Sequence, residues 1–325
     1  MGSDFRPPFI KIDSQITLRC DARCEFCPAW RDDLQVPPDM PPEQWIDVAR
    51  RLQEFTAIDM FCICGGEPLL YKELPRVVRG INDLGIRTVV VSNGRLLTRR
   101  RCDALLEAGL DEINVSLDSY PQLHDEMRNT PGIFDRAVSG VRYFKERRPQ
   151  MKAAASILIT SRNLDHLPEY ARWRLDWAPL DFISFQAYNQ LIPTGRDWAS
   201  FLDDPLWPSD TVLVDDVMDE LAGMVRQGVP ITNHPDQFEL FKRYFRDPDK
   251  SLGIRCPAGM LSFTVSSDGY VAACLHEPPV GNILHDDPVE LFRDKFPAIR
   301  EKARHCCTNC QIGRASCRER VCHRV

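Results

Sequence analysis

Six short apolar runs, separated by helical patterns between residues 12 and 186, predict an α/β chain of parallel strands joined by right-handed crossovers. Two arrangements satisfy that pattern: three-quarters of a β/α barrel, or an open doubly wound sheet. In both, the chemistry belongs where the C-terminal ends of the strands open into loops. A cysteine-bearing stretch from Cys256 onward adds a small C-terminal extension.

The strand candidates are 12–18, 58–64, 86–91, 112–117, 154–160 and 182–186. Each is short and rich in apolar residues, as a strand buried in a parallel sheet should be. Between them, Leu74, Val77, Val78, Ile81 and Leu84 follow the i, i+3, i+4, i+7 rule, and Gly85 suits a helix stop. Phe134, Ala137, Val138, Val141 and Phe144 repeat the pattern. Thr98 is the N-cap expected for a helix ending before Gly109. Residues 191–255 break the alternation: they hold Trp198, Trp207, several prolines and one helical segment near 214–225, which reads as a bridging region. Beyond Cys256, Ser267-Asp268-Gly269-Tyr270 predicts a hairpin turn between 263–265 and 271–273.

Composition narrows the function classes. With 43% hydrophobic and 27% charged residues the chain reads as globular. No run approaches the roughly 18 apolar residues of a membrane span, and no secretory pattern opens the chain, so a cytoplasmic protein without a membrane partner is expected. A net charge of −6 gives no overall attraction to nucleic acid. The basic runs Arg99-Arg100-Arg101 and Lys145 to Arg148 read as solvated helix faces. No Walker A or G-x-G-x-x-G segment supports a nucleotide-triphosphate or Rossmann site.

Thirteen cysteines is the unusual number. They cluster at Cys20, Cys24 and Cys27, and again at Cys256, Cys274, Cys306, Cys307 and Cys310. An odd count without a secretory signal favours metal ligation over disulfides. The first cluster directly follows the first strand, with spacings of three and two intervening residues. Three thiolates there can ligate three irons of a cubane and leave the fourth open, whereas structural zinc needs four ligands. A zinc knuckle completed from a distance is the alternative. Cys62 and Cys64 share one strand face and read as core, as does Cys102 on its helix. The histidines, His124 and His166 among them, show no paired metal-ligand spacing.

The C-x3-C-x-(aromatic)-C segment, with Phe26 at the aromatic position, resembles the radical S-adenosylmethionine (radical SAM) superfamily. Gly65-Gly66-Glu67-Pro68 at the end of the second strand resembles that family's GGEP motif, Ser92-Asn93-Gly94 its SNG segment, and Ser116-Leu117-Asp118 its SLD segment. The likeness covers about 12–188. It implies a partial (β/α)6 TIM-like barrel in which Cys20, Cys24 and Cys27 hold a [4Fe–4S] cluster. It also implies that Phe26, Gly65, Gly66, Glu67, Pro68, Ser92, Asn93, Ser116 and Asp118 line the S-adenosylmethionine site, Glu67 and adjacent main-chain groups receiving the ligand's ammonium. The family's chemistry is reductive cleavage of S-adenosylmethionine to a 5′-deoxyadenosyl radical that abstracts a substrate hydrogen. An external donor such as flavodoxin or ferredoxin supplies the electron. No side chain is assigned an acid–base or nucleophilic role. Asn163 and the segment Ser184 to Tyr188 fall where the fifth and sixth strands close the site.

The second cysteine cluster resembles a SPASM or shorter twitch domain. Cys256, Cys274, Cys307 and Cys310 are the expected ligands of one auxiliary [4Fe–4S] cluster, with Cys306 a substitute for Cys307 and His276 nearby. A four-cysteine zinc site is the alternative. SPASM-type relatives modify peptides or proteins, so a peptidyl or small-molecule substrate in peptide, protein or cofactor maturation is expected. The competing readings are a molybdenum-cofactor-type GTP cyclase and a non-catalytic iron–sulfur or zinc protein. The expected organisation is a core at 8–190, a bridge at 191–255 and a truncated auxiliary domain at 256–311. From Ile312 the chain resembles the translation of a sequencing adapter, so 312–325, with Cys317 and Cys322, reads as a non-native tail.

Overall fold

In the computed structural model, which describes residues 10–27, 30, 36–188, 203–248, 259–273 and 278–304, all six apolar runs are strands. They are β1 (Ile10–Thr17), β2 (Ile58–Gly65), β3 (Arg87–Ser92), β4 (Glu112–Ser116), β5 (Lys152–Ile159) and β6 (Phe182–Ala187). They pair in parallel and in strict chain order from β1 to β6. A doubly wound sheet reverses its order at a switch point. This one does not, so the chain takes the partial-barrel arrangement.

Alternation along each strand decides what each face of the sheet meets. Ile12, Phe61, Ile63, Val90, Ile113, Val115, Ala155, Ile157, Ile183 and Phe185 are buried in one apolar core. Trp45 of helix α1 (Pro42–Phe55) meets Phe61 edge-on at 6.3 Å. The same layer holds α2 (Leu74–Asp83), α3 (Arg99–Glu107), α5 (Ile133–Arg147) and α6 (Leu167–Trp177), with the short α4 (Pro121–Met127) between β4 and α5. Gly85 follows α2 at φ +75°, the left-handed stop its position predicts. Thr98 caps α3 through the Arg101 amide at 3.4 Å.

The opposite face mixes polar side chains with small apolar ones such as Val89, Val91 and Ala154. Register pairs Asp13 with Cys62, Gln15 with Cys64, Asn114 with Ala154, Ser116 with Ser156, and Ser156 with Ser184. Ser156 Oγ donates to Asn114 Oδ1 at 3.0 Å and meets Ser184 Oγ at 3.2 Å, a hydrogen-bonded chain across β4, β5 and β6. Cys62 and Cys64 therefore face this inner surface, beside the Lys11–Asp13 ion pair (2.7 Å), and not the helix layer. Cys102, by contrast, is fully buried among the helices, as expected.

Both edges of the six-strand arc find further partners. The hairpin strands β7 (Ser262–Val265) and β8 (Tyr270–Ala272) form as predicted, and β9 (Gly281–Asn282) follows. β7 pairs in parallel with β1, so the extension continues the barrel sheet. At the other edge Ile231 bridges Ile183, and the Asn233 amide accepts from Phe185 N (2.7 Å) and donates to Phe185 O (2.9 Å), imitating a neighbouring strand. Open strand edges invite pairing with other chains, and this segment blocks β6.

The bridging region holds more helix than the single segment expected there. Besides α7 (Thr211–Arg226), a second helix α8 (Pro235–Arg246) buries Phe238, Phe241, Tyr244 and Phe245. Their spacing is helical, and Pro235 at the first turn with His234 capping Asp236 N fixes the start. The basic run that ends α5 also differs from a solvated face. Lys145 Nζ reaches Asp181 at 3.0 Å, and Arg148 Nη2 donates to Leu106 O at 2.6 Å, because the entry to β6 and the last turn of α3 bring acceptors there.

Candidate active site

Three strand ends converge on the loop that follows β1. The first contribution comes from β2, whose exit clasps the loop by backbone. Gly66 N donates to Thr17 O and Glu67 N to Arg19 O, both at 2.8 Å. A Cβ on Gly65 would lie 2.3 Å from Thr17 O, and one on Gly66 2.2 Å from Arg19 O. Only glycine allows two backbones so close, which is why this motif carries two.

Glu67 then turns inward. Its Oε1 accepts from Leu69 N (3.0 Å) and Ser92 Oγ (2.8 Å), and Oε2 accepts from Asn93 N (2.8 Å). The carboxylate is fully buried and ties the β2 exit to the β3 exit. Burial pushes its pKa up to about 7, against the pull of those three donors. Pro68 opens a single 3-10 turn, Pro68–Leu70, that seats this corner.

From β3 comes the second hold. Asn93 Nδ2 donates to Asp21 Oδ1 at 3.0 Å, and Arg95 Nη1 donates to Asp21 O at 2.6 Å. Asp21 lies between Cys20 and Ala22, so the Ser92-Asn93-Gly94 segment pins the cysteine loop.

The third hold, from β4, is the one with charge. Asp118 is buried; its Oδ1 accepts from Leu158 N (3.0 Å), while Oδ2 takes Arg128 Nη2 at 2.7 Å and Nε at 2.8 Å. Burial alone would push this carboxyl up, but the Arg128 guanidinium holds it well below the usual carboxylate range. His124 Nδ1 accepts from Asp118 N at 3.0 Å, and burial pulls the imidazole pKa down. Arg128 Nη1 stands 3.8 Å from Cys24 Sγ, and its guanidinium lies 5.2 Å from the Phe26 ring centroid. Glu25 N donates to Met127 O at 3.0 Å, fixing the loop to the end of α4. Asn163 braces the same strand end, donating to Asp118 O and Leu158 O, both at 2.8 Å.

Among the predicted site residues, the structure thus brings together Cys20, Cys24, Cys27, Phe26, Gly65, Gly66, Glu67, Pro68, Ser92, Asn93 and Asp118. Ser116 sits half-buried on the inner face beside Ser156. Cys256, Cys274, Cys307 and Cys310, with Cys306, His276, Cys317 and Cys322, lie outside the described residues. Sequence reading passed over Asp21, Arg95, His124 and Arg128. For the last two a signal existed: they stand four apart, on one helix face, shortly after the Asp118 they meet.

The donor set fits an iron–sulfur cluster. Cys20, Phe26 and Cys27 pack around the buried Ala22, Cys24 and Ile133. Among the described residues no three His, Cys, Asp or Glu side chains gather tightly enough to share one metal ion. A cubane asks for less convergence, since each thiolate binds a separate iron. Burial pushes the Cys20 thiol up to about 12 and the Cys24 thiol up to about 11, the latter pulled back by Arg128. Metal binding would therefore release protons here.

Comparison with known proteins agrees with this geometry. The radical SAM superfamily profile matches residues 14–174. An Fe-coproporphyrin III synthase of Methanosarcina barkeri (strain Fusaro / DSM 804) is 24% identical over 318 residues, covering 90% of this chain and 78% of that protein. An AdoMet-dependent heme synthase of the same organism is 23% identical over 328 residues, covering 94% and 90%. Among solved structures, Streptococcus suis SuiB bound to precursor peptide SuiA superposes with a TM-score of 0.67 at 17% identity, over 90% of this chain and 67% of that one. The enzyme anSMEcpe with bound AdoMet gives 0.68 at 18% identity, over 93% and 81%. At such identities the structural likeness speaks for the fold. No helix among the described residues is long and apolar enough to cross a membrane. The profile match, the strand order and the clasped cysteine loop together make this chain an enzyme of the radical SAM superfamily, whose chemistry rests on S-adenosylmethionine and a [4Fe–4S] cluster.

Proposed function

We propose that Cys20, Cys24 and Cys27 ligate the catalytic [4Fe–4S] cluster and that the enzyme abstracts a hydrogen atom from a substrate in peptide, protein or cofactor maturation. The observation that carries this reading is the clasp itself: the three-thiol loop is held against the Gly65-Gly66-Glu67-Pro68 corner at the C-terminal mouth of the barrel. When bound, the cluster and S-adenosylmethionine supply the electron and the 5′-deoxyadenosyl radical. The protein's own residues hold, orient and exclude water. Gly65 and Gly66 bring the β2 exit close to the loop, and Glu67, Ser92 and Asn93 shape the cradle wall through their shared hydrogen bonds. Ser116 and Asp118 form the β4 side, where Asp118 works by holding Arg128.

The inner face, with Asn114, Ser156 and Ser184 linked in a row, suits a substrate bound by hydrogen bonds. Similarity along nearly the whole chain to two heme-pathway synthases supports cofactor maturation. The fold shared with SuiB and anSMEcpe, each solved with a peptide bound, supports a peptide as the second substrate class. In the same reading Cys256, Cys274, Cys307 and Cys310 hold one auxiliary cluster, and a flavodoxin or ferredoxin delivers the electron.

The test is anaerobic reconstitution with iron and sulfide, then dithionite and S-adenosylmethionine. Formation of 5′-deoxyadenosine is expected, abolished by Cys24→Ala and retained by Cys102→Ala. An iron-loaded protein that forms none, or equal product from both variants, sinks the reading. Adding an iron porphyrin in one arm and candidate precursor peptides in another then separates the substrate classes.

A further inference from the structure

Arg128 is an unusual neighbour for a metal-ligating thiol. It is 8% exposed, comes from the end of α4, 104 positions after Cys24, and yet presents Nη1 to Cys24 Sγ at 3.8 Å. Its other two nitrogens are both committed to Asp118, at 2.7 and 2.8 Å, so the guanidinium cannot swing away from the sulfur. Phe26 covers its face at 5.2 Å. Asp118 is itself fixed by Leu158 N and by its own N–H to His124 Nδ1. The result is a relay that holds one N–H donor at Cys24 Sγ and one positive charge beside the cysteine loop.

Hydrogen bonds to sulfur, net charge and burial set iron–sulfur potentials. Resting on the assignment of the cluster to this loop, the geometry points to Arg128 as a positioning residue that sets the reduction potential of the catalytic cluster through Cys24 Sγ, with Asp118 as the counter-charge that limits the effect. One electron from dithionite enters the oxidised cluster and makes it more negative. The nearby guanidinium stabilises that reduced form and makes it accessible.

Sign separates this from a merely structural role. Arg128→Gln removes a positive charge and lowers the potential. Asp118→Asn keeps the shape of the side chain but removes the negative charge that offsets Arg128, and raises it. Damage to the fold would move both variants the same way. The experiment is an EPR-monitored redox titration of the anaerobically reconstituted full chain, following the signal that Cys24→Ala eliminates.

Arg128→Gln is expected to lower the reduced-to-oxidised ratio at least tenfold at fixed solution potential, equivalent to 59 mV for a one-electron couple. Asp118→Asn should shift it oppositely, and Arg128→Lys, which keeps the charge without the fork, should fall between Arg128→Gln and the parent. An unchanged potential in Arg128→Gln, shifts of one sign in both variants, or equal loss of the signal in all three overturns the proposal. Absence of any Cys24-dependent signal in the parent protein overturns instead the cluster assignment on which it rests.

Discussion

Replacing Gly66 by alanine puts a carbon where the chain entering the cysteine loop already runs. That Cβ would stand 2.2 Å from Arg19 O, 2.6 Å from Arg19 C and 2.7 Å from Leu18 O. All three are backbone atoms, so no side chain can rotate out of the way. Ordinary contact begins near 3.4 Å, so one of the two backbones must move by about 1 Å. The move breaks the bonds from Gly66 N to Thr17 O and from Glu67 N to Arg19 O. Overpacking of this kind costs about 1–3 kcal/mol, and two hydrogen bonds add about 0.5–1.5 kcal/mol each. Chemical denaturation should therefore show a loss of about 2–6 kcal/mol. Because the displaced segment leads directly into Cys20, iron retained per chain after anaerobic reconstitution should fall even where the variant is fully folded. Gly85→Ala is the control: its φ is +75°, nothing lies within 4 Å of the added carbon, and it stands far from the loop in the chain. It should cost about 1–2 kcal/mol for left-handed backbone and leave iron content unchanged. Parent-level iron in Gly66→Ala, with under about 1 kcal/mol lost, would refute the clasp as the feature that shapes the loop.

Two further outcomes follow from buried hydrogen bonds. Glu67 has a folded pKa pushed up to about 7 against an ordinary 4.5, so between those values the folded state holds a proton that the unfolded chain releases. Its contribution is present below the unfolded value and lost as pH rises through the folded one, about 3 kcal/mol in all. Urea unfolding at pH 5 and 7.5 should show a flatter dependence in Glu67→Gln, and parallel profiles would contradict the burial argument. Asn233→Ala removes both bonds that seal the Phe185 backbone at the β6 edge. Leaving those groups unsatisfied should cost about 2–3 kcal/mol and speed hydrogen exchange at Phe185; unchanged exchange there would show that the edge is protected by something else.

Much of the molecule is legible in the chain itself because the signals are local. Short apolar runs place the six strands, and 3.6-residue spacing places the helices over Leu74–Asp83 and Ile133–Arg147. The Cys20–Cys24–Cys27 spacing and the double glycine mark the site, since both answer to geometry within a few residues. The helix Pro235–Arg246 carried the same kind of signal in Phe238, Phe241 and Phe245, masked by the prolines around it.

What tertiary structure alone decided is pairing across distance. Whether six strand–helix units form a barrel arc or a doubly wound sheet depends on strand order, which no local period encodes. The parallel seat of Ser262–Val265 beside β1 joins segments about 250 residues apart. The inward turn of Glu67, the burial of Asp118 and the approach of Arg128 to Cys24 are set by which strand ends meet at one mouth of the sheet. Local periodicity specifies which face of an element is apolar. Only assembly of the elements specifies which charges are left facing one another once that face is buried.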